Sequence, residues 1–232
     1  MRSHGQNGAG TSGEFEQTPG ARPQKSGLGA IHWNAILALI TIGVLYALLP
    51  SKVSVGPSWL LVAVEGAFVF LLVMATLTRG RVSPVTNRIS SLFLLVLVTL
   101  TLTVGIGHLI STLKSSNVMG IDLIRSGLLL YCFNILVSAL WYWEIDGGGP
   151  EKRRLSDHLA VDFLFPQQMG DSVGNWAPQF FDYLYLAFTA ATAFSPTDTM
   201  PLSHRAKFLM MVESILALVI ISFVVSRVIN II

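Results

Sequence analysis

WAPQFFDYLYLAFTAATAFSPTDTMPLSHRAKFLMMVESILALVIISFVVSRVINII, residues 176 to 232, is the stretch whose reading decides the fold. An aromatic, apolar run leads into a segment rich in Ala and Thr. A short polar hinge follows, Ser195-Pro196-Thr197-Asp198-Thr199. After it come about 25 residues that are apolar enough to cross a bilayer, whose hydrocarbon needs about 20.

Outward from this stretch, the chain repeats the same block length. Of 232 residues 52% are hydrophobic and 12% charged, half the charge fraction of an ordinary soluble domain. Spanning runs are expected at Ile31 to Leu49, at Trp59 to Leu77, at Ile89 to Ile110 and at Ile121 to Trp143. Residues 1 to 30, rich in Gly, Ser, Gln and Pro, read as a disordered tail because they hold too little apolar surface to offset ordering entropy. The division is therefore a tail over 1–30, four transmembrane helices over 31–146, a polar connecting loop over 147–175 and a C-terminal hairpin over 176–232. Gly147-Gly148-Gly149-Pro150 stops the fourth helix, and Trp141-Tyr142-Trp143 reads as an aromatic belt at the headgroup level. The expected class is an all-α polytopic membrane protein with five to six transmembrane helices.

The net charge of +2 is too small to point to nucleic acid, and the basic residues cluster at helix ends. Arg2, Arg22 and Lys25, then Arg79, Arg81 and Arg88, then Lys152, Arg153 and Arg154 fall in alternate connections. The positive-inside rule places all three groups, and the N-terminus, in the cytoplasm. With Glu144 to Asn175 inside, the favoured arrangement has residues 178 to 194 crossing fully as a sixth span of roughly 25 Å. The hinge then lies outside and residues 208 to 228 return inward. The other arrangement is a re-entrant dip and five spans.

Particular residues carry a resemblance. Phe188-Thr189-Ala190-Ala191-Thr192, Pro201-Leu202-Ser203, Glu213 and Val225-Ser226-Arg227 stand in the order of pore helix, linker, inner-helix Glu and final apolar-x-Arg. This last quarter resembles the pore module of bacterial two-helix potassium channels. It also resembles widespread bacterial inner-membrane proteins of unknown function that keep the same ending. Where those channels carry Thr-Val-Gly-Tyr-Gly-Asp, this chain reads Ala193-Phe194-Ser195-Pro196-Thr197-Asp198. A potassium filter aims backbone carbonyls inward with the help of glycines; neither glycine is here, and Pro196 fixes its own φ. The resemblance thus implies weakly selective passage of monovalent cations through a homo-oligomer, past Thr189, Thr192, Asp198 and Glu213, or a non-conducting descendant of such a channel.

Two other classes stay open: a membrane scaffold or accessory subunit, and a small proton-coupled transporter using Glu65, a charged residue inside the second run. Glu213 could instead pair with Arg205 or Lys207. Thr99, Thr101 and Thr103 alternate and are expected to bond back to the preceding turn. Cys132, the one cysteine, reads as a small hydrophobe. The five histidines show no ligand spacing, so no metal and no cofactor are expected. GxSxG, P-loop, HExxH and GxGxxG are all missing, so the sequence gives no sign of an enzyme. The partner it implies most directly is the lipid bilayer.

Overall fold

The computed structural model describes residues 84–111, 120–155, 161–169, 176–192 and 198–231, with isolated helical positions at 40, 41, 43, 44 and 66. Apart from those positions, the expected tail and first two spans lie outside the described residues, and so does Glu65.

Three long helices dominate the described residues: α1 (Pro84–Ser111), α2 (Gly120–Ile145) and, last in the chain, one over His204–Ile231. Each contains a stretch long and apolar enough to cross a membrane: Ser91–Ser111, Gly120–Gly148 and His204–Ile229. Pro84 suits a first helical position, where its missing N–H has no intrahelical partner to lose. Apolar side chains then surround α1. Leu94, Leu95, Val98, Leu102, Ile106 and Leu109 form its buried face, while Phe93, Val96, Leu100 and Val104 are exposed. A helix apolar on both faces is one that a membrane could hold. Its threonines bond back as the spacing predicts, Thr99 to Leu95 O at 2.7 Å, Thr101 to Leu97 O at 3.1 Å and Thr103 to Thr99 O at 2.9 Å. Thr99 also accepts from Trp141 Nε1 at 2.8 Å, which ties α1 to α2.

Residues 147–175, expected as a polar connection, are largely built into the core where they are described. A 3-10 turn (Asp146–Gly148) closes α2, and Gly147 and Gly148 sit at φ 59° and 82°, where a side chain would strain the backbone. Then follow α3 (Pro150–Leu155), strand β1 (Phe163–Leu164) and a 3-10 turn at Pro166–Gln168. The short helix α4 (Phe180–Thr192) leads on to strand β2 (Met200–Pro201) and the last helix, α5 (His204–Ile231). The buried stripe of α5 is Ala206, Glu213, Ala217, Ile220 and Phe223, a spacing of one helical face. It runs antiparallel to α2: Gly127 approaches Val224, and eleven positions earlier in α5 the Glu213 backbone carbonyl accepts from Asn134 Nδ2.

The path of α4 corrects the favoured six-span arrangement. Before α4, β1 pairs antiparallel with β2, which follows it, Phe163 opposite Pro201 and Leu164 opposite Met200. Leu202 N also bonds Asp162 O at 2.8 Å. Both flanks of α4 therefore lie at one end of the α2–α5 pair, the junction end. Its far end lies deeper, because Ala190 O accepts from Ser214 Oγ at 3.4 Å. Ser214 is ten residues into α5, about 15 Å along the helix and close to half the thickness of a ~30 Å hydrocarbon layer. At 13 residues α4 is about 20 Å long, shorter than a ~30 Å hydrocarbon layer, and the strand pairing holds residues 163–164 and 200–201 at the same end of the α2–α5 pair.

Candidate functional site

Depth is what gives the site its chemistry. Asn134, Ser138 and Tyr142 follow one another at four-residue spacing on α2, so they line one face. That face meets α5 at Glu213. The carboxyl is 2% exposed, and the Tyr142 hydroxyl donates to its Oε2. Ser138 faces the same carboxyl outside the geometry of a formed hydrogen bond, leaving Oε1 without a partner among the described residues. Asn134 Nδ2 donates to the Glu213 backbone carbonyl at 3.3 Å. Burying a carboxyl inside a hydrocarbon-length helix pair demands such polar company. Arg205 and Lys207 do not supply it: Arg205 turns to Asp162, and the side chain of Lys207 is exposed.

At the junction end the hub is Asp146, fully buried at the close of α2. Oδ1 accepts from the backbone N–H of Asp162 at 2.6 Å and of Phe163 at 3.2 Å. Oδ2 accepts from the Tyr183 hydroxyl on α4 at 2.5 Å and lies 3.9 Å from the Arg153 guanidinium. Arg153 is itself 2% exposed, and its Nη1 donates to Trp143 O at 2.9 Å and Asp146 O at 2.6 Å. It thereby caps a carbonyl in the last turn of α2 and shares Asp146 O with the Gly149 N–H. Its guanidinium also lies 4.8 Å from the Trp143 ring centre and 5.3 Å from that of Tyr183. Ring contacts continue from there, with the centres of Phe165 and Tyr183 5.3 Å apart and those of Tyr142 and Phe163 5.0 Å apart. The expected aromatic belt at 141–143 is thus an interior feature. Tyr142 and Trp143 are 0% and 6% exposed, held by partners on α5 and α4 rather than by headgroups.

A second ion pair fastens the two flanks of α4. Arg205 Nε and Nη2 donate to the two carboxylate oxygens of Asp162, both at 2.7 Å, and Gly147 N–H donates to Oδ2 at 3.1 Å. Burial works to raise the Asp162 carboxyl, but hydrogen bonds from Arg205, Ser203 and the Gly147 N–H prevail and hold it below the usual carboxylate range. A carboxyl that titrates lower folded than unfolded, where it would sit near ~3.9, contributes stability above that value. The contribution is lost as pH falls through the lowered value. The gap in apparent Tm between the wild type and Asp162→Asn is therefore expected to narrow from pH 6 to pH 3 in detergent; a gap independent of pH would refute the assignment.

Of the residues expected along an ion path, Thr189 is buried and Thr192 half-buried, both on α4. Their hydroxyls bond back to their own helix, Thr189 to Leu186 O at 2.9 Å and Thr192 to Phe188 O at 2.7 Å. Asp198 is exposed just before β2, while 193–197 lie outside the described residues. Glu213 sits one residue from Ser214, which touches α4, but its side chain faces α2. Asp182 serves the start of α4, accepting from Gln179 N at 2.6 Å, the half of a capping box that fixes a helix start.

Sequence reading missed Tyr142 and Ser138 as companions of Glu213, although the 134-138-142 spacing carries that signal. It also missed Asp146, Arg153, Tyr183 and the Asp162–Arg205 pair. Their partners lie 7 to 43 residues apart, and no local pattern announces such contacts. No family model, curated protein or solved structure matches this chain.

Proposed function

We propose that this membrane protein is an oligomeric, weakly selective cation channel or its direct descendant, with α2, α4 and α5 in the roles of outer helix, pore helix and inner helix. The observation that supports it is the dip of α4, whose two flanks are paired at one end while its last turn lies level with Ser214. A short helix that enters and leaves from the same side is tolerated at membrane depth only where protein or a water-filled path surrounds it, and a pore is the usual reason to build one. Around an oligomer axis, Asp198 would then supply a ring of carboxylates that favours cations. With two filter glycines replaced, permeation would discriminate poorly among monovalent cations.

The test is flux of K⁺ and Na⁺ from proteoliposomes. Wild type is expected to pass both at comparable rates, and Asp198→Ala to reduce passage tenfold or more without changing the apparent Tm. If wild type passes neither ion, conduction fails and the hairpin is a packing element of a scaffold. That second reading is favoured by one observation: the Thr189 and Thr192 hydroxyls are already engaged within α4.

A further inference from the structure

At the junction end an open cavity of about 230 Å³ lies among Arg88 near the start of α1, Gly147 and Gly148 at the turn after α2, Lys152 on α3, and Asp162 with Arg205. We infer that this cavity is a binding site for a phosphate group carried by an anionic lipid or by a soluble phosphate, a role separate from any conduction by the hairpin. Among the described residues, its lining brings three cations, from three different helices, against the carboxylate of Asp162. Glu144, buried nearby, faces Arg88 and Arg153, and Asp146 acts on Arg205, so part of that charge is drawn inward.

The geometry suits an anion in other ways. Asp162 takes the Nε and Nη2 donors of Arg205, which fixes the guanidinium plane and leaves Nη1 outside that pair. Arg88 and Lys152 are exposed, so their heads can turn toward a ligand without leaving an apolar core. Gly147 and Gly148 present a wall without side chains. At Gly148, already at φ 82°, an added Cβ would stand 2.9 Å from Lys152 Cδ and displace the lysine stem across the cavity. At ~30 Å³ per water the space holds about eight waters, enough for a phosphate with its first substituent. Planar guanidinium forks match phosphate oxygens. The site also lies where α1 and α5 begin and α2 ends, at the tips of three helices long enough to cross a membrane. Basic pockets between helices at that level hold anionic lipids.

The experiment measures binding to the full chain in a neutral detergent, by native mass spectrometry and apparent Tm, with phosphatidylglycerol, phosphatidylcholine and inorganic phosphate as separate probes. Phosphatidylglycerol is expected to bind and raise Tm, and phosphatidylcholine to do neither. Arg88→Gln combined with Lys152→Gln is expected to weaken binding tenfold or more, while Lys207→Gln, which removes an exposed cation outside the cavity, leaves it within twofold. Loss of affinity with added salt accompanies this. If inorganic phosphate binds the wild type, fails with the double variant and displaces the lipid, the site stands and a soluble phosphate is its source. If only the lipid binds, the headgroup is the source. Equal weakening by Lys207→Gln would mean diffuse surface charge and overturn the site, as would undiminished binding by the double variant or no response to either phosphate probe. The Tm of the double variant without ligand verifies that it folds.

Discussion

Asp146→Ala is expected to lower the apparent Tm of the purified protein in detergent by roughly 6–20 °C, the largest effect of any single side-chain truncation at the junction. Removing one partner of a buried ion pair costs about 3–5 kcal/mol, because the other charge stays buried without compensation. For a chain of this size each kcal/mol moves Tm by about 2–4 °C. Here the partner left behind is Arg153, 2% exposed. Two backbone donors, Asp162 N and Phe163 N, and the Tyr183 hydroxyl lose their acceptor at the same time. These bonds join α2 to β1 and α4, so the loss should show first as increased proteolysis of residues 160–200. Tyr183→Phe removes one of the three and is expected to cost about 1–2 kcal/mol. If Asp146→Ala fell no further than Tyr183→Phe, Asp146 would be one contact among many and not the hub.

Gly127→Leu is expected to prevent α2 and α5 from packing, with a loss above about 3 kcal/mol and heavy aggregation on solubilisation. A single Cβ at this position would already lie 2.4 Å from Val224 Cγ2. Valine is stiff at χ1 in a helix, so it cannot swing aside cheaply. Small residues allow membrane helices to approach closely, and dispersion at that contact replaces the absent hydrophobic drive. Alanine is the graded case. Its better helix propensity is worth about 1 kcal/mol over glycine, while overpacking costs about 1–3 kcal/mol, so Gly127→Ala should lose modestly. Val224→Ala removes the clashing methyl. The double variant Gly127→Ala with Val224→Ala should then be more stable than the sum of the two single changes by about 1 kcal/mol or more. Simple additivity in that cycle would show that the two helices do not meet there.

Both predictions concern contacts that join distant parts of the chain, and that marks how far the sequence is legible. Apolar runs of about 20 residues located α1, α2 and α5 to within a few positions, because hydrocarbon thickness sets a length that composition alone can meet. The threonines of α1 behaved as their spacing predicts, since an i to i−4 bond is local. Glu213 stood out as a carboxylate in an apolar run, and its face partners were readable in the periodicity of Asn134, Ser138 and Tyr142. Arg153 was not. As one of three adjacent basic residues it reads as a topology signal, yet it is enclosed by Trp143, Tyr183 and Asp146.

By itself, then, the sequence determined that the chain holds long helices apolar enough to cross a membrane, where they lie, and that Glu213 stands inside one of them, because each of those follows from length, hydropathy or helical period. Tertiary structure alone decided that both flanks of α4 lie at one end of the α2–α5 pair, that Tyr142 meets Glu213, and that Asp146 gathers the junction. The reason is physical: a 13-residue apolar helix satisfies its own backbone equally well whether it crosses or dips. What chooses between them is the pairing of Phe163–Leu164 with Met200–Pro201 and the bond from Arg205 to Asp162, contacts across some 40 residues that no local pattern encodes.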